Sequence, residues 1–275
     1  AANAARILMY GQYNRFTEEQ IDEFQGDVID ALVEALTTGT LPPIPEMAAT
    51  LGPQVAGGHL RLWSPEVDPQ ALFERVGADG GLGVHPSGTD FLQLVTQNDG
   101  ENKIDWFMRR SVSYEATVDP ATGALGATAT VTIANSAPAT GPSSYIIGEE
   151  DGPTRPGENE LEVTLYSPHV MRSVTDAEGN PLPVSLAREQ GLSAVTVYLE
   201  IPAGETATVV VTYRGRLRPT DGTYLLTVGR QPAVVPDRIH ARVRATTGWL
   251  RPESGATSVT AEAEEPARLE VQFRR

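Results

Sequence analysis

The sequence contains no cysteine, only one lysine, and no apolar run that approaches the length of a membrane span. The absence of cysteine excludes disulfides, zinc–thiolate centres, iron–sulfur clusters and a cysteine nucleophile, and it leaves the redox compartment open. Crossing a bilayer takes roughly 18 consecutive apolar residues, and the N-terminus has no basic start, no long apolar block and no initiator Met. We therefore expect this chain to be a trimmed or processed piece of a longer protein.

Acidic residues outnumber basic ones, and the formal net charge is -15 at pH 7. Phosphate backbones and anionic lipid headgroups should repel such a molecule as a whole, so a nucleic-acid partner is disfavoured. The 275 residues, 40% of them hydrophobic, are enough for two folded domains, each with its own core.

A long amphipathic helix is predicted near the N-terminus. Thr17 and Gln20 have the spacing of a capping box, which satisfies the free amides of a first helical turn. Apolar residues then recur every three or four positions, namely Ile21, Phe24, Val28, Leu32 and Leu36. The pattern predicts a helix from Glu18 to Thr37, with its acidic residues on the solvated side.

The rest of the N-terminal region mixes helical and strand signals. The segment "GHLRLWS" alternates like a short strand, and "DPQALFERVG" predicts a helix with Asp68 as N-cap and Gly77 as C-terminal cap. We interpret residues 1–108 as an α-rich, partial α/β domain.

The periodicity changes to two after Arg109. Segments such as "SVSYEATV", "GATATVTIA" and "TATVVVTYRG" are rich in Val, Thr and Tyr and are separated by Gly, Pro and Asp. This pattern predicts an antiparallel, immunoglobulin-like β-sandwich over residues 109–275, with extra C-terminal strands and a possible subdivision near residue 219. The predicted fold class is therefore α+β.

The stretch "QNDGENKIDWFMRRSVSY" carries the candidate binding residues Asp99, Glu101, Lys103 and Asp105. Carboxylate and amide oxygens are the ligands that Ca²⁺ prefers, but the spacing does not match the twelve-residue calcium loop. A polar turn that leads into a strand is the favoured interpretation.

The known catalytic and cofactor motifs are missing. The four histidines have no metal-ligand spacing, no serine lies in a G-x-S-x-G context, and no phosphate-binding loop is present. We predict no metal and no cofactor, and we assign no catalytic residue from these patterns.

Five further segments are distinctive when taken together: "NAARILMYGQYNRF", "GHLRLWS", "DFLQLVTQNDGENKIDWFMRRSVSYEATV", "ATVTIANSAP" and "YLLTVGRQPAVVP". Together they resemble the domain of unknown function 4012 family of actinobacterial and related envelope proteins. The resemblance covers most of the chain. It implies an exported protein on the extracellular side of the envelope, held to the membrane by an N-terminal portion that this chain lacks.

The N-terminal segment "YNRFTEEQIDEFQGD" contains Arg15 and Gln25. It is similar, more faintly, to part of the LytR-CpsA-Psr ligases, which transfer glycopolymers to the cell wall. This similarity makes Arg15 a weak catalytic candidate and Gln25 a weak binding candidate for a pyrophosphate. The neighbouring acids would repel that ligand, which favours a chain without ligase activity.

Three functions are compatible with the sequence. The favoured one is a non-catalytic envelope protein that binds a wall glycan or a protein partner, possible partners including the missing N-terminal part of its own precursor. The second is a wall-glycopolymer transferase with most of its catalytic residues outside this chain. The third is a structural surface module that assembles through its sheet edges.

Overall fold

The computed structural model describes residues 17–39, 42–82, 88–100, 102–148, 154–218, 222–246, 257–263 and 266–273, without the side chains of residues 18, 21, 32, 36, 262 and 263. In these residues the helices are α1 (Glu18–Thr38), α2 (Ile44–Ala56), α3 (Val67–Val76) and the short α4 (Ser144–Ile147), with a 3₁₀ helix at Ile104–Phe107. No helix in the described part is long and apolar enough to cross a bilayer.

Twelve strands form the rest of the regular structure in the described residues. They are β1 (Asp90–Asn98), β2 (Met108–Val118), β3 (Ala124–Asn135), β4 (Asn159–Ser167), β5 (Val170–Thr175), β6 (Ser185–Glu189), β7 (Leu192–Ile201), β8 (Thr206–Arg216), β9 (Thr223–Gly229), β10 (Asp237–Ala245), β11 (Ser258–Ala263) and β12 (Ala267–Gln272). Sheet I has the order β12-β9-β1-β4-β7-β6, and sheet II has the order β11-β10-β2-β3-β8-β5.

The two sheets pack face to face around one apolar core. Alternate residues of each strand point inward, because successive side chains of a strand lie on opposite faces. Leu92, Leu161 and Val195 of sheet I join Val131 and Val209 of sheet II in this core. The burial of these branched aliphatic side chains holds the sheets together.

The first predicted helix is confirmed. The amide of Thr17 donates to Gln20 Oε1 at 3.0 Å, and the amide of Gln20 donates to Thr17 Oγ1 at 3.4 Å, which is the expected capping box. Helix α3 also forms, but its N-cap is Glu66 instead of the predicted Asp68. Gly77 closes it with a φ of 72°, in the left-handed region, as predicted.

The predicted fold class is wrong. An immunoglobulin-like sandwich has antiparallel sheets, whereas both sheets here are mixed: β1 pairs in parallel with β9, and β2 pairs in parallel with β10. The described N-terminal residues contain α1, α2 and α3 but no strand, since the expected strand "GHLRLWS" does not form. A partial α/β domain is therefore absent from the described part of residues 17–82.

The C-terminal strands are not additions to a finished sandwich. Strand β9 lies between β12 and β1, and β10 lies between β11 and β2. Strand β1, which the sequence analysis placed in the N-terminal region, pairs with β4 and β9. A period of two identifies strands but does not show which strands are neighbours. Because β1 pairs within sheet I, the twelve-stranded unit begins at Asp90.

Candidate functional site

One end of the sandwich interior is polar. At this end, six inward-facing positions that extend the core rows of their strands are polar or charged: Thr96, Asn98, Arg110, Asn135, Asn159 and Asp237. Side chains of one sheet form hydrogen bonds with the other sheet here. For example, Asn135 Nδ2 on β3 donates to the carbonyl of Ile201 on β7 at 2.8 Å. We call this region the polar end.

The candidate stretch of the sequence closes the polar end with a hydrogen-bonded turn. Asn98 Nδ2 donates to the carbonyl oxygen and Oδ1 of Asn102, at 3.0 and 3.1 Å. Asn98 Oδ1 accepts from the amide of Gly100 at 2.8 Å, and Asn102 Oδ1 accepts from the amide of Ile104 at 3.1 Å. The side chains thus replace backbone partners in the turn, as Asn side chains commonly do.

Two of the predicted binding residues, Lys103 and Asp105, lie at this turn. Asp105 Oδ2 lies 3.5 Å from Asn98 Nδ2, and burial raises the pKa of the Asp105 carboxyl above its usual value of 3.8, against the lowering effects of Asn98, Arg110 and Lys103. Lys103 Nζ lies 5.6 Å from the centre of the Tyr145 ring, within cation–π range. The lysine amide also donates to the Tyr145 carbonyl at 3.2 Å, which attaches α4 to the turn.

The other predicted site residues do not join them. Asp99 is exposed at the end of β1, and Gln25 is half-buried on α1. Arg15 and Glu101 lie outside the described residues. No group of three or more acidic or histidine side chains in the described part is arranged to hold a metal ion.

Several buried polar atoms near this end have no partner within the described structure. They are Asn102 Nδ2, Thr154 Oγ1 and both side-chain amide atoms of Asn159. Asn159 is fully buried, and Thr154 and Asn102 are less than a tenth exposed. An unpaired buried polar group destabilises a fold by about 1–3 kcal/mol. Sequence reasoning missed Thr154 and Asn159, because neither lies in a motif.

Arg110 and Asp237 form a buried ion pair at the polar end. Arg110 Nε lies 2.7 Å from Asp237 Oδ1, and Nη2 lies 3.0 Å from Oδ2. The other donors are also occupied, since Nη1 donates to Thr96 Oγ1 at 2.6 Å and to Gln231 Oε1 at 2.7 Å. Burial raises the pKa of Asp237, while Arg110 opposes the change. The network links β1, β2 and β10.

A second buried cluster is centred on the carboxylate of Asp90, which is fully buried at the start of β1. Its Oδ2 accepts from Tyr224 Oη at 2.6 Å, its Oδ1 accepts from Tyr114 Oη at 2.9 Å, and its Oδ1 lies 2.8 Å from His169 Nε2. Burial and the adjacent carboxylate raise the pKa of both tyrosines well above 10. These contacts bind β1, β2 and β9 together.

The helices carry most of the exposed apolar surface. Of the fourteen large apolar side chains exposed in the described part, ten lie between residues 17 and 82. These ten are Phe24, Val28, Ile29, Val33, Ile44, Leu51, Trp63, Val67, Leu72 and Val76. Helices α2 and α3 contain no buried residue. Large exposed apolar surfaces mark interaction sites in soluble proteins.

Comparison with known proteins identifies no family. No family model matches the chain, and no curated protein matches it. Among solved structures, a protein of Legionella pneumophila provisionally described as a nutrient-binding protein is 9% identical, with a TM-score of 0.41 over 68% of this chain and 71% of that one. An M1 zinc metallopeptidase from Deinococcus radiodurans is 15% identical, with a TM-score of 0.31 over 61% of this chain and 39% of that one. Structural similarity this weak indicates nothing about function.

Proposed function

We propose that this chain is the binding part of a non-catalytic cell-envelope protein, and that its helical N-terminal region binds a protein partner. The proposed extracellular location and membrane anchor of the full-length protein rest on the resemblance to the domain of unknown function 4012 family. In this proposal the two-sheet unit is the scaffold, and the helices α1 to α3 carry the binding surface.

The exposed apolar side chains of α1 support this proposal most strongly. Phe24, Val28, Ile29 and Val33 are 48%, 50%, 59% and 52% exposed, and they are spread over one half of the helix circumference. Their complete burial by a partner would contribute on the order of 1 kcal/mol each. A partner protein provides such burial, whereas the described part of the sandwich does not.

Trp63 supports a wall glycan as the second candidate partner. The indole is 76% exposed, and His59 and Arg61 are exposed at the alternate positions before it. An indole offers a broad apolar face with one polar tip, which suits a ligand with apolar and hydroxyl surfaces. A glycan that carries acidic groups would also gain from Arg61.

Site-specific photocrosslinking distinguishes these partners. Benzoylphenylalanine is placed at residue 28, 63 or 186 of the full-length protein in the cells that produce it. Residue 186 is the control, since Leu186 is 62% exposed on β6. We expect a protein adduct at residue 28 and none at residue 186. Glycan-mass adducts confined to residue 63 would favour the second candidate, and adducts no stronger than those at residue 186 would reject both.

A further inference from the structure

Helix α1 has an apolar side and an acidic side. With 3.6 residues per turn, Phe24, Val28 and Val33 lie on the apolar half of the helix. Five acids, Glu19, Glu23, Asp27, Asp30 and Glu34, lie on the other half, and Asp22 lies at the margin of the apolar half near Val33. Asp27 follows Phe24 by three residues and Asp30 precedes Val33 by three, so a carboxylate borders the apolar side on each edge.

Within the described residues, no ion pair balances the negative charge of α1. Residues 16–60 contain eight acidic residues and no lysine or arginine. Neither the Arg110–Asp237 ion pair nor the His169–Asp90 hydrogen bond, both within the described structure, involves any of these acids. The apolar side is therefore exposed in a strongly negative surrounding, and both properties constrain what can cover it.

We propose that α1 binds an amphipathic helix of a partner protein, one whose apolar stripe is flanked by lysine or arginine. This inference rests on the proposed function and specifies the chemistry of the partner. The 21 residues of α1 span roughly 30 Å, enough for several turns of helix-to-helix packing. The partner's basic residues then lie opposite Asp27 and Asp30, where the positive charge favours this partner over others.

The same charges disfavour two other occupants. A second copy of this chain would bring two acidic helices together, in a molecule of net charge -15. An anionic lipid surface would repel the acids of α1 for the same reason. A basic helix is the occupant that satisfies the apolar side and the charge together.

Two model peptides test the inference. One is a 21-residue helix with a leucine stripe flanked by lysines, and the other has glutamate in place of every lysine. Binding to the full 275-residue chain is measured by fluorescence anisotropy at low and high salt. We expect the lysine peptide to bind at least tenfold more tightly than the glutamate peptide, and to weaken severalfold at high salt. Equal binding of the two peptides would overturn the inference.

Matched variants locate the binding surface. The double substitution Val28→Thr, Val33→Thr keeps the shape and helix propensity of the side chains but removes apolar surface. It should weaken the binding of the lysine peptide about tenfold. Leu186→Thr is the control and should leave binding unchanged. Asp27→Asn with Asp30→Asn should reduce the dependence on salt. Circular dichroism shows whether α1 remains folded, and an unchanged affinity in folded variants would contradict the proposal.

The inference and the proposed function fail in different ways. A protein crosslinked at residue 28, together with no binding of the lysine peptide, would leave the proposed function standing and reject the basic helix. Sedimentation tests the second-copy alternative. A dimer that the Val28→Thr, Val33→Thr variant dissociates would identify another copy of this chain as the occupant, and would overturn the inference.

Discussion

Arg110 and Asp237 are joined by two hydrogen bonds of 2.7 and 3.0 Å, although 127 residues separate them in the sequence. They lie on the parallel neighbours β2 and β10, and both side chains point into the polar end. The pair therefore fixes the register between an early strand and a late strand at one end of the sandwich.

Removing one partner of this pair should strongly destabilise the fold. Arg110→Met leaves the carboxylate of Asp237 buried without its cation, so we expect the free energy of unfolding to fall by about 3–5 kcal/mol. Urea denaturation measures the change. Arg109→Met is the control, because Arg109 is exposed on the same strand and should change stability by less than about 0.5 kcal/mol. Equal effects of the two substitutions would show that the ion pair is unimportant.

A methyl group at residue 215 should disturb the Asp90 cluster. Gly215 lies against the ring of His169, and a Cβ there would overlap the imidazole. Gly215→Ala should lower stability by about 1–3 kcal/mol, because the ring must move away from Asp90. Gly126→Ala is the matched control on β3, where a Cβ would meet no atom within 4 Å. A thermal melt in which Gly215→Ala is as stable as Gly126→Ala would contradict the packing described here.

Two asparagines of the polar end should respond differently to the same substitution. Asn135 Nδ2 donates to the carbonyls of Gly157 and Ile201, and its Oδ1 accepts from the amide of Ala137. Asn135→Leu should therefore cost about 1–3 kcal/mol of stability. Asn159→Leu has a similar shape but removes only unpaired atoms, and should leave stability unchanged or higher. Urea midpoints compare the two, and an equal loss would show that the Asn159 amide is bonded in solution.

Asp105 should make stability depend on pH in the acidic range. Its pKa is higher in the folded chain than the usual 3.8, because burial disfavours the charged carboxylate. The folded chain thus binds more protons than the unfolded chain between the two values, and stability should fall as the pH rises from about 3.8 through the raised pKa.

The matching substitution is Asp105→Asn, which removes this contribution. Wild-type stability relative to Asp105→Asn should decrease as the pH rises through that window and stay constant above it, as measured by urea unfolding from pH 3 to 7. Asp99→Asn, at an exposed position of the same stretch, controls for the loss of one negative charge. A constant difference across the whole range would refute the raised pKa.

Local patterns were sufficient to predict single elements. The capping residues and apolar period of α1 predicted its start correctly and its end to within one residue, and alternation located β2, β3 and β8. Strand β1 was missed as part of the sheets because its first five residues are all buried. Phe91 and Val95 pack with Leu82 and Tyr166 on the outer face, so the strand shows no clean alternation.

The candidate site was predicted in part. The polar turn is confirmed by the contacts of Asn98 and Asn102, but it follows β1 and does not precede the first strand of the sandwich. The partners of Arg110 and Asp90 could not be predicted, since they depend on parallel pairing between distant strands. The exposure of the apolar side of α1 could not be predicted either, because amphipathicity does not show what covers a helix.

The parallel pairs also determine when this chain can finish folding during its synthesis. Strand β2 is translated 127 residues before its partner in the Arg110–Asp237 pair, a delay on the order of ten seconds on a ribosome. Until β9 and β10 emerge, the edges of β1 and β2 that they cover in the folded chain have no partner strand. A protein shortened near residue 219 would lack β9 and β10, and the edges of β1 and β2 that they cover would stay unpaired.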